Sequence, residues 1–329
     1  MKASSGKRIG WLAAATAVVA QSVCASATAQ EFPAKPIRFI IPFPPGGGTD
    51  LMSRVLAQRI TEQARWTFLL DNKPGAGGSI GVEQAARAAP DGYTIVMGQT
   101  SNLALNPTLN PKLAYDPVKD LLPVSMVASG PLMLVGSAGS RITSLAGLLA
   151  EAKVNPGRLL FGSPGNGTLG HLGGELFNSA AGVKIEHIPY RGAAQALTDV
   201  LGGRLDLYVS TVPAALGQIR AGKLRGIAVM GLDRQADLPD VPTVAEQVAP
   251  GFEVANWYGV LVPAGTPAAI VARIGTEVRN ALDSAEVRGK LTAEGVTAKS
   301  STPDAMIAHI KAEIAKWAPV IRASGVKME

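Results

Sequence analysis

The run Ile40-Ile41-Pro42-Phe43-Pro44-Pro45-Gly46-Gly47-Gly48-Thr49-Asp50 limits what this chain can fold into more than any other. It reads as an apolar strand, a turn of prolines and glycines, and the start of a helix. Three consecutive glycines leave backbone N–H groups uncovered by side chains. A helix beginning at Thr49 or Asp50 directs its unpaired amides and the positive end of its dipole at the same place. A carboxylate or phosphate fits such a spot, although one loop of this kind is equally well a tight strand-to-helix turn. Halfway along the chain stands a second loop, Phe161-Gly162-Ser163-Pro164-Gly165-Asn166-Gly167-Thr168-Leu169-Gly170-His171. Its Gly165, Gly167 and Gly170 match the G-x-G-x-x-G spacing of dinucleotide folds, which is an alternative reading. Against it, His187-Ile188-Pro189-Tyr190 stands where such folds place an acidic residue. A third glycine cluster, Pro74-Gly75-Ala76-Gly77-Gly78-Ser79, follows the polar Asp71-Asn72-Lys73 and reads as a helix-entry turn.

The N-terminus reads as an export signal. Lys2, Lys7 and Arg8 precede an apolar run from Ile9 to Ala20, and small residues end in Ala27-Thr28-Ala29. Cleavage is expected after Ala29, with Ala27 as second choice, so residues 1–29 stand apart from the fold. The run is shorter than the roughly 20 apolar residues of a membrane span. Cys24, the single cysteine, lies in this segment behind Val23, a residue too large for a lipoprotein signal. The mature chain is therefore expected to carry no disulfide and no thiolate chemistry. Losing residues 1–29 removes three basic and no acidic residues, so the formal charge falls from +6 to +3. That balance argues against a nucleic-acid partner.

About 300 remaining residues exceed what one hydrophobic core organises, which predicts two domains. Expected strands over 37–42, 67–70 and 94–97 alternate with helices over 49–63 and 80–88. A second series has strands over 132–135, 159–161, 184–188, 205–209 and 226–230, with helices over 144–153, 168–180, 193–201 and 214–220. Such alternation predicts α/β architecture, each domain a mostly parallel sheet flanked by helices. Helices over 267–283, 285–294 and 303–323 close the chain. Proline-rich joints at 107–123 and 239–250 are the expected crossings. The division read from this is 30–131 with 250–329 as domain 1, and 132–249 as domain 2.

Catalytic patterns are missing: the chain has neither a G-x-S-x-G elbow nor a G-x-x-x-x-G-K-[ST] loop. His171 and Glu175 are four apart, a spacing that can hold a metal, but two ligands do not make a site. His171 reads better as a capping or hydrogen-bonding residue. No metal, no cofactor and no enzymatic activity are expected.

Several blocks together carry a family resemblance. They are Phe43 to Asp50, Asn72-Lys73-Pro74-Gly75-Ala76-Gly77-Gly78, Ala89-Pro90-Asp91-Gly92-Tyr93-Thr94, Tyr115-Asp116-Pro117, Pro189-Tyr190-Arg191-Gly192, Leu238-Pro239-Asp240-Val241-Pro242-Thr243, Trp257-Tyr258-Gly259 and Pro263-Ala264-Gly265-Thr266-Pro267. In this order the chain resembles the Bug receptors, periplasmic solute-binding proteins of tripartite tricarboxylate transporters. The chain departs from the family pattern at Ala64-Arg65-Trp66, where a glycine followed by Gln is common. The resemblance implies a two-domain periplasmic-binding-protein fold of the Venus flytrap type II kind. Two crossing strands would join its domains, and the C-terminal segment would return to the first. It also implies a small carboxylate in the cleft, a dicarboxylate, tricarboxylate, amino acid or aromatic acid, held by backbone amides and waters. Membrane components of such a transporter are the implied partners. A sensor that signals to a membrane kinase is the alternative and a secreted enzyme a remoter one; a monomer is expected.

The residue reading and the resemblance meet on one candidate site. Gly46, Gly47, Gly48 and Thr49 would donate from one wall, and Gly165, Asn166, Gly167 and Thr168 from the other. Ser163 and His171 belong to the second loop. Asp50 would accept from an ammonium or cap its helix. Ser101, Asn102, Ser210 and Thr211 fall at strand carboxyl ends, where ligands of open α/β sheets lie. Tyr190 and Arg191 follow another strand, with Arg191 a candidate for a distal carboxylate. Phe43 would form an apolar floor.

Overall fold

The computed structural model describes residues 32–326, so the export-signal reading of residues 1–29 lies outside it. β1 (Ile37–Ile41) is buried at nearly every position, as a parallel strand covered on both faces must be. α1 (Gly48–Ala64) returns the chain to β2 (Phe68–Asn72), and α2 (Ser79–Ala86) returns it to β3 (Thr94–Gln99); both strands pair with β1 in parallel. α1 stops at Arg65, whose φ of 61° is left-handed and whose N–H bonds Thr61 O. A helical turn over Ser101–Leu105 runs into α3 (Asn106–Leu109), and β4 (Leu121–Ser137) follows.

The second series repeats the plan. α4 (Leu145–Val154) leads to β5 (Leu160–Ser163), α5 (Leu169–Ala181) to β6 (Glu186–Pro189), and α6 (Ala193–Leu201) to β7 (Leu207–Thr211). α7 (Val212–Arg220) and β8 (Leu224–Val229) complete it, then α8 (Val244–Gln247) precedes β9 (Ala255–Pro263). The chain closes with α9 (Ala268–Asp283), α10 (Ala285–Ala293), β10 (Thr297–Ala298) and α11 (Pro303–Ser324).

Strands run in the order β2-β1-β3-β9-β4-β7-β5-β6, with β8 and β10 also on β4. Two sheets share β4. Its first part, Leu121 to Pro131, pairs with β9; its last part, from Leu132, pairs with β7 and β8. Expected parallel order holds in β2-β1-β3 and β6-β5-β7, while β9 runs against the first set and β4 against the second. The reason is connectivity: a strand arriving from the other sheet enters with no crossover helix to turn it round. The return passage is marked by Val254, whose N–H donates to Met230 O and whose carbonyl accepts from Leu132 N. The change of sheet thus falls inside β4, beyond the proline-rich 107–123 stretch where the sequence put the joint. α11 packs on the first sheet, with Glu313 accepting from both Trp257 Nε1 (3.2 Å) and Trp317 Nε1 (3.1 Å).

Candidate ligand-binding site

Where the two sheets face each other, the first residues of four helices line one cavity of about 50 Å³. Gly47, Gly48 and Thr49 come from α1, Thr168, Leu169 and Gly170 from α5, Ala193 from α6 and Thr211 from the start of α7. Each helix start brings amides without an intrahelical partner and the positive end of a dipole. α1 carries no side-chain cap, so nothing of its own covers its first N–H groups. Among the described residues, no charged side chain lines this cavity. Ser101 bridges the two sheets by accepting from Leu169 N at 3.1 Å, although the two residues follow strands of different sheets.

A wider pocket of about 600 Å³ shares Phe43 and Pro164 with the inner cavity. Gly165, Asn166, Tyr190 and Arg191 line it, and among the described residues Arg191 is its one charged lining residue. The third glycine cluster, read as a helix-entry turn, forms part of its wall through Gly75 to Gly78. Ala193 faces the inner cavity while Arg191, two residues earlier, faces the outer pocket. An elongated ligand can therefore hold its head inside and its tail near Arg191.

Of the residues that the sequence reading named, Phe43, Gly47, Gly48, Thr49, Ser101, Thr168 and Thr211 are brought together at the inner cavity. Gly165, Asn166, Tyr190 and Arg191 line the outer pocket, whereas Gly46, Asp50, Asn102, Ser163, Gly167, His171 and Ser210 line neither space and brace the loops instead. Gly46 takes a φ of 87°, which favours glycine, and donates its N–H to Asp50 Oδ2 (3.1 Å). Asp50 also accepts from Arg54 Nε (2.9 Å) and Asn72 Nδ2 (3.0 Å). Burial works to raise the Asp50 carboxyl, but the hydrogen bonds from Arg54, Asn72 and Gly46 outweigh it and hold it below the usual carboxylate range. Its lone pairs are spent on the loop.

Asn102 accepts from Gln99 N (3.0 Å) through its side chain and from the Tyr115 hydroxyl (2.6 Å) through its carbonyl. Ser210 donates to Thr211 O. In the second loop Ser163 accepts from Gly165 N and lies 2.7 Å from His187 Nε2, while Gly167 N donates to His171 Nδ1 (3.2 Å). His171 and His187 stack at 3.7 Å. Burial pushes both imidazoles down, His171 to about 4 and His187 to about 3, the second helped by repulsion from the first. At pH 7 the pair is neutral and serves as a spacer beneath the loop.

Sequence reasoning missed Gln99, Asn256 and Tyr258, all in the inner lining. Asn256 and Tyr258 are two apart on β9 and so share a face. Tyr258 pairs in register with Gln99, a proximity visible only once β3 and β9 are joined.

The family profile of the tripartite tricarboxylate transporter family receptors matches residues 52–326. The protein BugT of Bordetella pertussis is 38% identical over 313 residues, covering 95% of this chain and 96% of that protein. Among solved structures, Rpa4515 of R. palustris with adipate is 35% identical, with a TM-score of 0.87 over 90% of this chain and 99% of that one. MatC (Rpa3494) of Rhodopseudomonas palustris with bound malate is 29% identical, with a TM-score of 0.82 over 88% of this chain and all of that one.

Proposed function

The chain belongs to the tripartite tricarboxylate transporter family of receptors, and from that premise we propose that it captures a dicarboxylate between its two sheets for delivery to a membrane transporter. The observation that carries the reading is the convergence of four helix N-termini on a cavity with no charged side chain. One carboxylate binds there through backbone amides. Each charge-assisted bond is worth about 1.5–3 kcal/mol net, so a few supply the roughly 8 kcal/mol of micromolar binding. A second carboxylate lies in the outer pocket toward Arg191. An α-ammonium group finds no carboxylate in either space, since Asp50 is committed to Gly46, Arg54 and Asn72. The adipate and malate of the two solved relatives are dicarboxylates, which supports the class. Residues 30–131 with 250–329 and residues 132–249 are the two bodies we propose to move against each other.

The test is a thermal-shift screen of refolded, ligand-stripped mature protein against dicarboxylates, tricarboxylates, monocarboxylates, amino acids and nucleotides. Dicarboxylates should stabilise it most, by about 2.7 kcal/mol at one hundred times the dissociation constant. Stabilisation by a dinucleotide and by no carboxylate would sink the receptor reading. Copurification of the loaded protein with the transporter's membrane components tests delivery.

A further inference from the structure

The inner cavity contains a polar pair that a carboxylate cannot satisfy. Asn256 is 2% exposed and Tyr258 is 1% exposed, yet Asn256 Oδ1 and Tyr258 Oη have no hydrogen-bond partner. A buried polar atom left unpaired carries the desolvation penalty of that group with nothing to offset it. Asn256 Nδ2 donates to Gln99 Oε1 at 2.7 Å, so its carbonyl oxygen is the free end. In this orientation Asn256 turns its carbonyl to the cavity; turned over together, the two amides would pass that acceptor to Gln99 Oε1 in the same lining. Burial lifts the Tyr258 hydroxyl to about 12, with nearby Asn256 and Thr211 opposing the rise, so it keeps its proton. It forms no well-aligned bond to either neighbour.

The inner end therefore presents an O–H donor and a carbonyl acceptor beside the anion-binding amides. An ionised carboxylate has acceptors only and would set lone pair against lone pair at Asn256. A hydroxyl has both functions: it accepts from Tyr258 and donates to Asn256. The cavity size agrees, because one water needs roughly 10–15 Å³ on this measure and about 50 Å³ takes a head group of a few atoms. We infer that Asn256 and Tyr258 are specificity residues that read a hydroxyl on the carbon next to the buried carboxylate, so that the cargo is a 2-hydroxy dicarboxylate. This rests on the reading of the chain as a carboxylate receptor.

The experiment compares pairs that differ by that one group: succinate with malate, glutarate with 2-hydroxyglutarate, adipate with 2-hydroxyadipate. Titration calorimetry on the ligand-stripped mature protein gives the affinity ratio within each pair. At least one hydroxylated member should bind tenfold or more tighter than its partner, since a site built to bond a hydroxyl rejects the analogue that leaves it unpaired. Tyr258→Phe, which removes one oxygen, and Asn256→Ala should each pull that ratio toward one. Ratios of two or less in the wild-type protein for every pair overturn the inference, whatever the variants do. Tighter binding of aspartate or glutamate than of malate or 2-hydroxyglutarate overturns it too, by making the donor an ammonium. If no carboxylate binds at all, the receptor reading fails first and this one with it.

Discussion

Gly48 is set by space. A Cβ there would stand 3.0 Å from Thr211 Oγ1 and closer still to Tyr258 Oη, inside the cavity itself. Gly48→Ala should therefore raise the dissociation constant of the carboxylate tenfold or more, and overpacking should cost about 1–3 kcal/mol of stability. Calorimetry and denaturant melts of the same sample separate the two effects. An unchanged affinity would show that this face of the loop does not meet the ligand. Arg65 is the opposite case, a residue set by geometry. Its left-handed φ of 61° closes α1, at the turn where the resemblance noted in the sequence implies a glycine. Glycine adopts this conformation freely, whereas a side chain costs roughly 1 kcal/mol. Arg65→Gly should raise stability by about 0.5–1 kcal/mol without altering ligand affinity, and a melt showing a loss would mean that the arginine makes a contact worth more than the strain. The glycine loops were legible because their chemistry is local. Asn256, Tyr258 and Gln99 were not, because a register between strands far apart in sequence brings them together.

At the scale of elements, α5 is the helix held from both sides. Its Thr168 cap accepts from His171 N (3.4 Å) on its own side, and Ser101 accepts from Leu169 N across the gap. Leu169 N–H has water to bond when the sheets part and only Ser101 when they close. Ser101→Ala should thus penalise the closed form, weakening carboxylate binding by about five- to thirtyfold, while the ligand-free melt moves little. Ser101→Thr keeps the hydroxyl and should recover most of the loss; failure of both variants alike would mark a steric effect. The strands that sequence reading shortened or missed, β4 read only over 132–135 and β9 not at all, share one cause. β4 carries Pro123 at a register shift and Pro131 where it leaves β9, and prolines demote a strand on pattern alone. β9 has Gly259 in its middle, packed against Met306. The βαβ repeats were readable because each is a local alternation of period. Crossing strands answer to two sheets at once, and their proline and glycine punctuation reflects the bends and close packing that passage between sheets demands.

For the whole molecule, the arrangement of two sheets on shared strands decides how binding becomes a signal. Among the described residues, the chain and strand connections between them are β4 and the Met230–Val254 passage, whereas the loops around the inner cavity meet by surface contact. One such contact is tight: a Cβ on Gly192, at a φ of 117°, would come within 2.6 Å of Pro44. The inner cavity is small and bounded by residues of both sheets, so on the proposed reading a carboxylate would complete its shell only when they are together. Ligand then favours the closed form by the contacts it makes there and nowhere else. Small-angle scattering of stripped mature protein should show a larger radius of gyration than the loaded protein, with the loaded curve matching this structure. The Ser101→Ala variant should need more ligand to reach the same closed curve, because the bond it lacks belongs to that state alone. If stripped and loaded proteins scatter identically, closure precedes ligand, and the Ser101 bond and the Pro44–Gly192 contact hold the sheets together unaided. Recognition by a membrane partner would then have to depend on the cargo itself rather than on the shape that cargo selects.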